Sequence, residues 1–139
     1  MRTATLGSLG PVSRLTLGGG GIGQIWGETD KDEAIATLYA ALDAGIDLLD
    51  TAPMYGHCEA FVGEAFAGRP PAHLKITSKC YLGTPPPGAA YERMSASLDE
   101  TLKTMRLERV DLYFLHTNIH ADDLVYAHGD EHRDRFGTS

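Results

Sequence analysis

Two periods of apolar residues take turns along this chain. Short runs with apolar or alternating character recur at Leu15–Leu17, Ile46–Leu49, His73–Thr77 and Val110–Leu115. Between them lie stretches whose apolar residues return every three or four positions. These are Ile35, Leu38 and Leu42 with alanines between, a segment from about Glu59 to Ala67, and Tyr91, Met94, Leu98, Leu102 and Met105. The first period predicts strands and the second predicts helices with one apolar face. Punctuation agrees with this division. Thr29 is a good N-cap, with Asp30, Asp32 and Glu33 in the first turn, where they suit the helix dipole. Gly45 ends that helix, and Gly68 with Pro70 and Pro71 ends the next. The stretch Gly83–Gly88 holds three consecutive prolines and predicts a loop. Ahead of all these, Thr3–Leu6 and Val12–Ser13 flank Gly7, Gly10 and Pro11, which predicts a short hairpin. Residues 120–139 carry acids, arginines and histidines without a sustained apolar period, which predicts a loop or disordered tail.

The order is thus a hairpin followed by β-α-β-α-β-α-β. Alternating units with short apolar strands imply a parallel sheet covered by helices. Two α/β architectures compete, an open doubly wound sheet and part of a (β/α)8 barrel. A complete barrel takes about 250 residues. A chain of 139 residues holds four βα units at most and reads as one domain over 1–139, the first half of such a barrel.

Composition narrows the function classes. With 42% hydrophobic and 22% charged residues the chain is an ordinary globular one. A formal net charge of -7 without a Lys/Arg block excludes a nucleic-acid binder, because phosphate binding needs a basic patch. Its longest apolar runs fall far short of the roughly 20 residues that span a bilayer, so no membrane association is expected. The first ten residues lack the apolar core of a signal peptide. Cys58 and Cys80 sit in unrelated contexts and read as reduced thiols of a cytoplasmic protein.

The polar residues matter most where strands end. The second parallel strand runs into Asp50, with Tyr55 in the loop beyond; the third ends near Lys79; the fourth ends at His116. Each residue alone has an ordinary role, as a loop cap, a packing ring, a solvated cation or a core histidine. Parallel strands, however, point their carboxyl ends the same way, so the four groups converge on the rim where α/β folds place chemistry. A Lys ammonium beside a tyrosine favours phenolate, a carboxylate keeps that Lys charged and fixed, and a histidine orients a carbonyl oxygen. Such a set suits protonation of a carbonyl oxygen while hydride arrives at carbon.

Other motifs are weaker. Gly18–Gly23 matches G-x-G-x-x-G after a strand and raises a Rossmann-type dehydrogenase, but Gln24–Gly27 separates it from the helix signal at Thr29. A flexible loop with bare backbone is the simpler expectation. The pairs His116/His120 and His128/His132 have i,i+4 spacing without a convincing helix, so no metal site is assigned. Trp26 either walls a substrate pocket or packs, and the sequence does not separate the two.

Three ordered segments now identify a family resemblance. Asp50-Thr-Ala-Pro-Met-Tyr55-Gly56-His-Cys-Glu59 resembles the D-T-A-x-x-Y-G-x-S-E signature of the aldo-keto reductases, with Cys58 in place of the usual serine. Ile76-Thr-Ser-Lys79 resembles their strand-three lysine, and Val110-Asp-Leu-Tyr-Phe-Leu-His116 their strand-four histidine segment. The resemblance runs from the hairpin to about residue 120. It implies a (β/α)8 TIM barrel that reduces aldehydes and ketones, with NADP as cofactor and NAD as the alternative. It also implies Tyr55 as general acid, Lys79 lowering its pKa, Asp50 paired with Lys79, and His116 orienting the substrate. Gly19, Gly20 and Asp50 would lie beside the nicotinamide. Because most carboxamide and adenosine-phosphate contacts in the family come from the second half of the barrel, the 139-residue chain is expected to be inactive alone. Its two strand edges suggest self-association, and a non-catalytic binding module is the second reading.

Overall fold

The structure, a computed structural model, describes residues 1–83, 85 and 88–117. The expected tail at 120–139, with His120, His128 and His132, lies outside the described residues, and so does most of the triple-proline stretch. The hairpin forms from β1 (Thr3–Thr5) and β2 (Pro11–Ser13), antiparallel, with a single 3-10 turn between them. Its end is tied to the sheet by a reciprocal pair. Ser13 N donates to Asp47 Oδ1 at 2.6 Å, and Asp47 N donates to Ser13 Oγ at 3.1 Å. Asp47 precedes its strand, so the hairpin joins the amino end of the sheet and leaves the carboxyl rim free.

The remaining elements are β3 (Leu17–Gly18), α1 (Gly19–Ile22), α2 (Lys31–Asp43), β4 (Leu48–Asp50), α3 (Cys58–Phe66), β5 (Lys75–Cys80), α4 (Ala90–Met105) and β6 (Leu112–Leu115). The four strands β3-β4-β5-β6 neighbour one another in chain order, every pair parallel. A doubly wound sheet reverses its strand order at a switch point and carries helices on both faces. Among the described residues no reversal occurs. One contiguous core gathers Leu38 of α2, Val62 and Phe66 of α3 and Met105 of α4 against Leu49 and Ile76 of the strands. That arrangement is a barrel segment, with its helices on the outer face.

Period-two alternation then decides what each strand shows. In β5, Ile76 and Ser78 turn to the helices, while Thr77 and Lys79 turn to the opposite, inner face. Phe114, level with Lys79 in the neighbouring strand, is 44% exposed.

Several boundaries differ from the sequence reading. The strand expected at Leu15–Leu17 starts at Leu17, and Leu15 is exposed, because Ser13 turns the chain by donating its hydroxyl to the Leu15 carbonyl. The cap of α2 is Asp30, whose carboxylate accepts from Glu33 N at 2.7 Å; Thr29 instead donates to the Glu33 side chain. The strand expected at 73–77 runs from Lys75 to Cys80, so Lys79 lies inside it. Tyr91, counted in the apolar stripe of α4, is exposed, whereas Thr101 on the same helix is buried.

Candidate active site

Three successive strands deliver the polar groups to the carboxyl rim. Asp50 closes β4, Lys79 stands one residue before the end of β5, and His116 follows β6, its amide donating to the Cys80 carbonyl at 2.7 Å. Tyr55 sits in the loop after β4. The structure brings all four together. Lys79 Nζ donates to Asp50 Oδ1 at 2.7 Å and to the Thr51 carbonyl at 2.9 Å, and Thr77 Oγ1 reaches the same Asp50 oxygen at 3.0 Å. The Lys79 side chain is only 13% exposed, so its charge needs these partners to offset lost hydration. Its ammonium lies 4.4 Å from the centroid of the Tyr55 ring, within cation–π range. The His116 ring meets that of Tyr55 edge-on at 5.8 Å.

His116 is a weaker base here than an ordinary histidine. Burial disfavours its charged form most, and the Lys79 cation adds to this, while Asp50 opposes. Its Nδ1 is buried and has no hydrogen-bond partner among the described residues. A neutral imidazole with a spare ring nitrogen can donate or accept, which suits orientation of a polar ligand.

The glycine run is not a flexible loop. Residues 19–22 form one helical turn that packs directly on the Tyr55 segment. A Cβ at Gly19 would stand 2.5 Å from Cys58 Sγ and 2.8 Å from the Asp50 carbonyl. Gly23 and Gly56 interlock so closely that a Cβ on either would overlap the backbone carbonyl of Tyr55 or Gly23, and His57 N donates to Gly23 O at 3.1 Å. Gly56 also holds φ +56°, which favours glycine. The space these glycines leave is therefore filled by the chain itself, not shaped as a phosphate cradle. Gly19 and Gly20 are both buried, Gly19 beside Tyr55 and Gly20 beside the Trp26 indole, which a Cβ at Gly20 would meet at 3.1 Å. Trp26 leans on that bare backbone while remaining 80% exposed. Cys58 is fully buried, and burial, with Glu59 and Asp50 nearby, pushes its thiol up to about 12, so it is inert.

Sequence reasoning missed the support around this cluster. Glu59, read only as a letter of the signature, is 5% exposed. Its Oε1 accepts from Ser78 Oγ at 2.6 Å and from Thr101 Oγ1 at 3.1 Å. The available signal was its helical spacing, because Glu59 shares a face with Val62 and Phe66. Thr51 and Thr77 were missed too; both are buried, Thr51 just after β4 and Thr77 inside β5.

The chain matches the Aldo/keto reductase family over residues 14–131. It is 40% identical over 92 residues to an aldo-keto reductase of Mycolicibacterium smegmatis, covering 65% of this chain and 31% of that protein. It is 30% identical over 116 residues to L-galactose dehydrogenase of Arabidopsis thaliana, covering 80% of this chain and 36% of that enzyme. The crystal structure of an aldo-keto reductase from Klebsiella pneumoniae in complex with NADPH superposes with a TM-score of 0.69 at 26% identity, over 86% of this chain and 40% of that one. The chain therefore spans about a third of the length of these curated relatives. On the match over residues 14–131 and a parallel strand order that forms part of a TIM barrel, the chain belongs to the aldo/keto reductase family.

Proposed function

We propose that this segment carries the proton-transfer machinery of a nicotinamide-dependent carbonyl reductase. One observation carries the reading: an ammonium locked to a carboxylate at 2.7 Å stands 4.4 Å from the ring of a half-buried tyrosine. Tyr55 donates its hydroxyl proton to the carbonyl oxygen of an aldehyde or ketone. Lys79 stabilises the phenolate left behind, and Asp50 with the Thr51 carbonyl holds Lys79 in place. His116, neutral because it is buried, orients the substrate oxygen.

The residues fit the reacting end of a nicotinamide. Gly20, without a side chain, lies beside the Trp26 ring, and His116 brings an imidazole edge-on to Tyr55. Gly19, Gly20 and Asp50 are the groups that would lie against it. A bound reduced nicotinamide supplies hydride to the carbonyl carbon. NADP is the preferred form in this reading, supported by the NADPH complex of the Klebsiella relative, with NAD as the alternative. Two buried, unpaired thiols fit a reducing, cytoplasmic setting.

The test is Tyr55→Phe in a polypeptide carrying this segment within a complete barrel. Loss of a general acid should lower the reduction rate by about 10²–10⁴-fold with cofactor binding nearly intact. Substantial turnover by that variant overturns the acid role. The 139-residue chain alone should reduce no member of an aldehyde panel, since catalysis needs donor and acceptor held together.

A second reading, a half-barrel that binds its own kind, draws on the sheet itself. Among the described residues β3 and β6 are its edges, and Phe114 is exposed on the inner face. Unpaired edges and an exposed ring favour association. Sedimentation of the dilute 139-residue chain should then reveal dimers or larger species; a sharp monomer with cooperative unfolding counts against it.

A further inference from the structure

Strand β5 shows its two faces to two different carboxylates. On the inner face Asp50 Oδ1 gathers Thr77 and Lys79. On the outer face Glu59 Oε1 gathers Ser78, the residue between them, and Thr101 of α4. Glu59 opens α3 four residues after Tyr55, and the Cys58 amide donates to the Tyr55 carbonyl at 3.0 Å. The helix start and the Tyr55 loop are thus one hydrogen-bonded unit, and the Glu59 carboxyl joins that unit to the segment carrying Lys79.

As packing material Glu59 is a poor choice. A carboxyl buried to 5% exposure, with no cation bonded to it among the described residues, costs more than a leucine of similar size. Burial pushes its pKa above the usual carboxylate range, and the Ser78 and Thr101 hydroxyls only partly offset this. A leucine could fill the volume. It could not accept hydrogen bonds from two other elements at once.

We propose that Glu59 is a positioning residue: it fixes the Tyr55 loop against the Lys79 segment of β5 from behind the sheet. Its bearing on catalysis rests on the reading that Tyr55 and Lys79 are the reacting pair. A cation held over an aromatic face is sensitive to small displacements, so slack at Ser78 is felt at the 4.4 Å contact in front of it.

The experiment reads that contact directly in the 139-residue chain. Protons held over an aromatic ring resonate upfield, and the chain has four lysines to distinguish: Lys31, Lys75, Lys79 and Lys103. With lysine labelled by ¹³C, one ε-methylene signal should lie upfield of the others and return to the common position in Tyr55→Leu. Glu59→Met should move it back in the same way while far-UV circular dichroism stays native. Glu59→Gln should keep it upfield, because the amide oxygen can accept from the same two hydroxyls. Ser78→Ala cuts one tether without touching Glu59 and decides the matter if Glu59→Met fails to fold; it should move the signal part of the way. A signal unmoved in Ser78→Ala and in a folded Glu59→Met overturns the proposal. So does a loss in Glu59→Gln as complete as in Glu59→Met, or the absence of any upfield signal in the unaltered chain. The readout involves no turnover, so a failure of the acid role of Tyr55 would appear in the Tyr55→Phe kinetics and not here.

Discussion

Gly63→Ala separates two effects of opposite sign. Gly63 lies inside α3, where alanine is favoured over glycine by about 1 kcal/mol on helix propensity alone. Its missing side chain, however, is where α4 passes. A Cβ there would stand 2.5 Å from the Thr104 carbonyl oxygen and 3.0 Å from Met105 Cα, against the 3.0 Å that real Cβ contacts respect. Both neighbours are helix backbone, so neither can rotate aside. The helices must separate, and Met105 and Val62 beside the contact have no exposed surface to yield. Overpacking of this kind costs about 1–3 kcal/mol, occasionally more. Separation also stretches the 3.1 Å bond from Thr101 to Glu59, and a buried charge-assisted bond contributes about 1.5–3 kcal/mol. Set against the propensity gain, the net loss is about 1.5–5 kcal/mol. At a few degrees per kcal/mol, the melting temperature should fall by roughly 5–15 °C. Thermal unfolding followed by circular dichroism measures this, with Gly21→Ala as the reference. There the new Cβ meets only the Trp26 ring, at 3.8 Å and beyond, and stability should hold or rise slightly. A Gly63→Ala chain as stable as the parent would show that α3 and α4 are not in backbone contact.

Two further outcomes follow from the titrating groups. Cys58 and Cys80 should not react with a disulfide reagent at pH 8 in the folded chain, because both are buried and the Cys58 thiol is pushed up to about 12; a rapid equivalent of released thiolate would contradict the burial. His116 has a lowered pKa in the folded chain, so the unfolded chain binds more protons between the two values, and stability should decline as pH falls from the ordinary histidine value near ~6.5 through the folded one. His116→Gln should flatten that decline, and an unchanged profile would place the acid sensitivity elsewhere.

The strongest signals in the sequence were those with a period. The parallel βα units and the rim position of Asp50, Lys79 and His116 follow from alternation and strand direction, and the structure shows them. Signals that depended on packing partners were silent. Nothing local distinguishes Gly63, which leaves room for a helix forty residues later, from a glycine on a surface. The glycines at 18–23 resembled a loop because glycine weakens helix signals, yet they close into a turn against the Tyr55 backbone. Glu59 stood out only as a letter of the signature, because its two hydroxyl partners lie 19 and 42 residues away. Tyr91 erred the other way, since periodicity alone extends an apolar stripe beyond the surface that covers it.

The amino end of the sheet acts as a ruler for the carboxyl end. A slip of β5 by two residues would keep every side chain on its proper face, so alternation alone does not forbid it. It would nevertheless carry Lys79 about 7 Å along the strand and bring Lys75 or Lys79 level with Asp50, where Thr77 now stands. The contacts that forbid this lie at the opposite end of the strand. Lys75 N donates to the Asp47 carbonyl at 2.7 Å, Asp111 Oδ2 accepts from Ile76 N at 2.9 Å, and the Asp111 carboxylate sits 3.6 Å from the Lys75 ammonium. Asp47 is also the residue that grips the hairpin. Loss of the Asp111 carboxylate would therefore surface as an error of alignment at the rim, with the misplaced ammonium as its symptom.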